Sequence, residues 1–193
     1  MSVIPDCDIF LNQIILDYFS QFDVNLGLKN ASKIGNKELV DLFIDKGASD
    51  WNRGMKSAAF GGHKDLVDFF IQKGANNWNF GMEFAARGGH KELVDFFITK
   101  DGENGVYLDL NGDMWIAALG GHKELVDFFI SKGANSWNNG MIGAAQGGHK
   151  DLVDFFIQKG ANDWNWGMYA ADHGGHKELV DFFQRKIDEE NNN

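Results

Sequence analysis

Residues 62–76 read GHKDLVDFFIQKGAN, and the string returns with small changes at 89–100, 121–135, 148–162 and 175–186. A worn copy, GNKELVDLFIDKGAS, occupies 35–49. The second glycines of the Gly-Gly doublets fall at 62, 89, 121, 148 and 175, in steps of 27, 32, 27 and 27 residues. A fixed period of this size marks like units stacked in a row, each unable to bury its apolar face alone.

Within one copy the apolar spacing is helical. Leu66, Val67, Phe70 and Ile71 share a face, Asp65 lies in the first turn and Lys73 in the last, and Gly74 follows as a stop. Upstream, RGMKSAAF places Met55, Ala58 and Ala59 on one narrow face of a shorter helix, which Gly61 and Gly62 end. Asn52 is expected as its N-cap. The expected fold is therefore an all-α solenoid of six two-helix repeats, at 24–50, 51–77, 78–109, 110–136, 137–163 and 164–190. A capping helix is expected at 1–23, where Ile9, Phe10, Ile14, Ile15, Tyr18, Phe19 and Phe22 recur behind Asp8, and a polar tail at 191–193. The first helices carry Gly and Ala and the second carry Phe, so the stack is expected to curve with the first helices on the concave side. Repeat 78–109 has five extra residues within DGENGVYLDLNG. Its Asn104-Gly105 pair has hairpin-turn chemistry, and a projecting loop is expected at 101–110.

Composition excludes several classes. The net charge of -10 and sequence pI of about 4.9 argue against general binding to nucleic acid or anionic membranes. Cys7 is the only cysteine, so no internal disulfide is expected and a reducing compartment is the simpler reading. No Lys or Arg precedes Lys29, against a signal peptide. No apolar run approaches the ~18 residues of a membrane span. The expected location is cytoplasmic or nuclear.

The run 58–76, AAFGGHKDLVDFFIQKGAN, resembles the ankyrin repeat, with its AAxxGHxEVVxLLLxxGAD register, and the resemblance recurs through 24–190. It departs in two ways. Asn52 to Met55 supplies N-x-G-M where the family has TPLH, and the period is 27 residues against about 33. The missing part corresponds to the β-hairpin finger, so short turns are expected between helix pairs. Short units of this kind are similar to those of large DNA viruses of protists, and such proteins often engage host regulators. The resemblance implies a non-catalytic protein-binding scaffold that uses the concave face and the loop tips.

Comparing the copies with one another locates a candidate site. The second helix hardly varies, whereas the first varies at three positions spaced i, i+3, i+7, which share a helical face. Repeat by repeat these are Leu26, Lys29, Lys33; Arg53, Lys56, Phe60; Phe80, Glu83, Arg87; Gly112, Trp115, Leu119; Asn139, Ile142, Gln146; and Trp166, Tyr169, His173. The early positions gather basic groups and the later ones aromatic and aliphatic groups. That mixture suits an acidic, partly apolar protein or peptide, with Tyr107 of the long loop as an accessory contact. A monomer is expected, with homo-oligomeric self-assembly as the alternative.

Other recurrent residues read as structural. Trp51, Trp78, Trp137 and Trp164 open their repeats and are expected to pack between neighbours. His63, His90, His122, His149 and His176 come once per repeat and are expected to form hydrogen bonds at the helix turn. Stacked repeats hold them too far apart for one metal ion. Asp109, Asn111 and Asp113 have the opening spacing of a calcium loop, but Met114 and Gly120 stand where it needs Gly and Glu. The Lys64- and Asp68-type residues form a solvated convex face. No metal, cofactor or catalytic constellation is expected.

Overall fold

The computed structural model describes residues 23–101 and 109–192. Among these there are twelve α-helices and no strand. The chain divides into two compact bodies, Met1–Asn77 and Trp78–Asn193. The expected capping helix and almost all of the expected 101–110 loop, Tyr107 included, lie outside the described residues.

The first body holds α1 (Val24–Ile34), α2 (Lys37–Asp45), α3 (Trp51–Gly61) and α4 (Lys64–Gln72). α1 packs on α2 and α3, and α3 packs on α4. Met55, Ala58 and Ala59 of α3 and Leu66, Val67 and Phe70 of α4 are buried. Each of the larger side chains contributes roughly 1.5–3 kcal/mol on burial. α3 ends on Gly62 at φ 81°, where the His63 N–H donates to Ala58 O at 2.9 Å. α4 ends the same way on Gly74, with the Ala75 N–H donating to Phe70 O at 2.9 Å. This left-handed closure satisfies carbonyls that a helix end would otherwise leave bare.

The structure corrects the role of Asn52. It lies inside α3, and the cap is Asp50, whose carboxylate accepts the Arg53 N–H at 2.9 Å. A carboxylate at that place also meets the positive end of the helix dipole, which an amide cannot match. Asn52 Oδ1 instead accepts the N–H groups of Asn76 and Asn77, both at 2.9 Å, and ties the end of the repeat to its beginning. Asn25 does the same for Ser49 and Asp50.

The second body holds α5 (Trp78–Gly88), α6 (Lys91–Asp101), α7 (Leu110–Leu119), α8 (Lys123–Ser131), α9 (Trp137–Gly147), α10 (Lys150–Gln158), α11 (Trp164–Gly174) and α12 (Lys177–Asn191). The pairs are α5 with α6, α7 with α8, α9 with α10 and α11 with α12, and the first helices α5, α7, α9 and α11 pack side by side. α12 continues to Asn191 because no glycine follows Lys186 to stop it. Asn191 is the last residue of that helix.

Within each body, histidines bridge neighbouring repeats. His122 Nε2–H donates to Arg87 O at 2.9 Å, His149 to Leu119 O at 3.1 Å and His176 to Gln146 O at 3.1 Å. In the first body His63 does the same to Lys33 O at 3.1 Å. These contacts run from one repeat to the one before it, and extend the expectation of a bond local to the turn. The glycines beside them make room. A β-carbon on Gly147 would stand 2.3 Å from Leu119 O, and one on Gly148 would stand 2.4 Å from the His176 ring.

Candidate partner-binding face

Each body presents its own first-helix face. In the first body Lys33 is exposed and Lys29, Arg53, Lys56 and Phe60 are half-buried. The basic groups are engaged within the chain as well: the Lys33 ammonium lies 4.7 Å from the centre of the Phe60 ring, and Arg53 pairs with Asp23 at 3.3 Å.

In the second body the candidate residues separate by exposure. Glu83, Trp115, Leu119, Ile142 and Gln146 are half-buried, whereas Phe80, Arg87, Trp166, Tyr169 and His173 are exposed. Trp115 is held by its neighbour repeat: a β-carbon on Gly143 of α9 would stand 2.5 Å from Trp115 O and 2.9 Å from its Cδ1. The aromatic groups of α11 are more open. Trp166 is 58% exposed and Tyr169 61%, and the two rings meet edge-on with centres 5.6 Å apart. The His173 ring lies 6.4 Å beyond Tyr169. One turn of helix separates each ring from the next, so the i, i+3, i+7 spacing becomes a continuous aromatic ledge.

The residues with calcium-loop spacing have other work. Asp109 caps α7 by accepting the Gly112 N–H at 3.1 Å. Asn111 Oδ1 accepts the Asn135 and Ser136 N–H groups, each at 3.0 Å. Asp113 is buried. No group of three or more His, Cys, Asp or Glu side chains that could hold a metal ion occurs among the described residues.

The opposite face carries contacts that sequence reading missed. Lys123 and Lys150 lie over Phe155 and Phe182 of the following repeat, at 4.0 and 4.2 Å from the ring centres. Both also pair with the aspartate one turn on in their own helices. The solvated lysine row is thus also a row of inter-repeat cation–π contacts. The signal was present, since one such lysine occurs in every repeat and one such phenylalanine in every repeat but the first, which has Leu42. A groove lined by Lys150, His176, Lys177, Asp181, Phe182 and Arg185 lies on this charged side, away from the aromatic ledge.

Paired helices, glycine closures and the Gly-His register occur together in repeat after repeat, without strands among the described residues. They bear out the all-α fold of repeated two-helix units expected from the sequence. No family model matches the sequence, and no curated protein matches it. Among solved structures, the crystal structure of the human ASB11 ankyrin repeat domain is similar to this chain, at 17% identity over 83% of each chain and a TM-score of 0.49. No described helix is long and apolar enough to cross a membrane.

Proposed function

We propose that this protein is a non-catalytic scaffold that binds another protein or peptide through the first-helix faces. The observation carrying this reading is the α11 ledge. An edge-on Trp–Tyr pair, each ring more than half exposed, costs apolar hydration that an unused surface would avoid. Rigid aromatic groups of this kind anchor protein interfaces. Trp115, Leu119 and Ile142 extend the apolar surface within the same body. In the first body Lys29, Lys33, Arg53 and Lys56 suit an acidic stretch of partner.

The test is affinity capture from a cell lysate with wild type and with a Trp115→Ala, Trp166→Ala, Tyr169→Ala variant whose helicity is checked by circular dichroism. A protein retained by wild type and lost by the variant is the expected result. Equal retention of every captured protein would overturn the assignment of the face.

A second reading is self-association, in which the exposed Trp166–Tyr169 pairs of two copies meet, and end-to-end stacking is the weaker form of it. Among the described residues, nothing lies within 4 Å of where a β-carbon on Gly175 would stand, whereas the matching sites on Gly35, Gly89, Gly121 and Gly148 meet the next repeat's histidine. The last repeat thus leaves open the socket that internal histidines fill. The first repeat has Asn36 in place of that histidine, and Asn36 caps its own helix. Head-to-tail stacking of two copies would therefore lack the bond that joins repeats within the chain. Sedimentation over a wide concentration range separates the readings: a constant monomer mass supports the scaffold, and a rising mass supports assembly.

A further inference from the structure

One buried titratable group takes no part in the first-helix faces. In five repeats the fourth position of the first helix is glycine: Gly27, Gly54, Gly81, Gly140 and Gly167. A β-carbon at any of them would stand 2.2–2.6 Å from the ring of the second helix's phenylalanine. In the repeat of α7 and α8 the position is Asp113. Its side chain is 6% exposed, and its Oδ2 is buried with no hydrogen-bond partner among the described residues.

Among the described residues, no cation packed around Asp113 offsets its charge. On α5, Glu83 is acidic, and Arg87 sits exposed at the far end of the helix. On α8, Lys123 pairs with Asp127, Lys132 lies over Phe128, His122 is committed to Arg87 O, and Glu124 is exposed. α9 has no ionisable side chain. Before α7 itself stands the cap, Asp109. Burial first, then the charges of Asp109 and Glu83, push the Asp113 carboxyl from 3.8 up to about 7.

We propose that Asp113 is a proton-operated latch in the second body: with its carboxyl protonated α7 seats against α5 and α8, and ionisation loosens that seat. A carboxyl whose pKa is raised on folding makes the folded state hold more protons than the unfolded one between the two values. The stability it confers is full at low pH and is lost as pH rises towards about 7. A salt-bridged carboxylate acts in the opposite sense.

The experiment is urea unfolding of the full chain from about pH 5 to about pH 8, for wild type, Asp113→Asn and Asp113→Gly. The asparagine keeps the shape without the charge, and the glycine restores the residue of the other repeats. The ratio of unfolding constants, wild type over Asp113→Asn, is expected to climb by up to about tenfold per pH unit below the carboxyl's pKa and to level above it. The glycine variant is expected to outlast wild type at the alkaline end. Parallel profiles for wild type and Asp113→Asn would overturn the proposal. Should a variant fail to fold, the Asp113 carboxyl carbon resonance in wild type decides: a midpoint near 7 supports the latch, and one near the ordinary value of about 4 removes it.

Discussion

At Gly147 the chain has no room for a methyl group, because the space belongs to the carbonyl oxygen of Leu119. That same oxygen accepts the His149 Nε2–H. The bond requires the Nε2-protonated tautomer, or the fully protonated ring, so His149 is a donor at either charge state. Replacing Gly147 with Ala is expected to cost about 1–3 kcal/mol through forced displacement of the neighbouring repeat. Replacing His149 with Leu should cost about 1 kcal/mol through the lost bond. Urea midpoints measure both, and a His149→Leu variant as stable as wild type would show that the rung contributes nothing. That a Gly-Gly-His string recurs was plain from the residues alone. What it holds was not, because the partner of His149 lies 30 residues back and belongs to another helix pair. Asn52 misled for a related reason. Its amide looks like a local cap, and its bonds reach 24 and 25 residues ahead.

Among the helices, the N-caps show where local chemistry is incomplete. Asp50, Asp109 and Asp163 each accept a backbone N–H of their own first turn. Ser136, at the same place before α9, makes no such side-chain bond. A Ser136→Asp substitution is therefore expected to raise stability by about 0.5–1 kcal/mol, adding a capping acceptor and a charge suited to the dipole. Thermal unfolding checks this, and an unchanged midpoint would mean that α9 is set by packing alone. Helix pairs and their ends were legible because glycine stops and the Leu-Val-Phe spacing act within a few residues. The exposure of the candidate face was legible only in part. Spacing places Trp115 and Tyr169 at equivalent positions, yet one is half-buried beside Gly143 and the other is mostly open. That difference comes from the neighbour each helix has, which periodicity does not report.

Within the second body the histidine bonds join each repeat to the one before it by the same atoms, 30 residues apart for His149 and His176 and 35 for His122, which reaches across the longer repeat, so its stability is close to a sum of nearest-neighbour terms. Removing residues 137–163 would join Ser136 to Trp164 and bring His176 opposite the Leu119 carbonyl, the oxygen that His149 meets in the intact chain. The shortened protein is expected to remain helical and to unfold cooperatively at lower urea, as followed by circular dichroism. Loss of helicity at zero urea would show that the repeats are not exchangeable. The same regularity reaches beyond the folded molecule. A gene made of near-identical segments can misalign with its own copies during recombination, gaining or losing one whole segment without shifting the reading frame. Because every rung is rebuilt at each new junction, such events would leave a foldable product. Each added segment would also bring one further first helix, with three surface positions free to be tuned to whatever it meets.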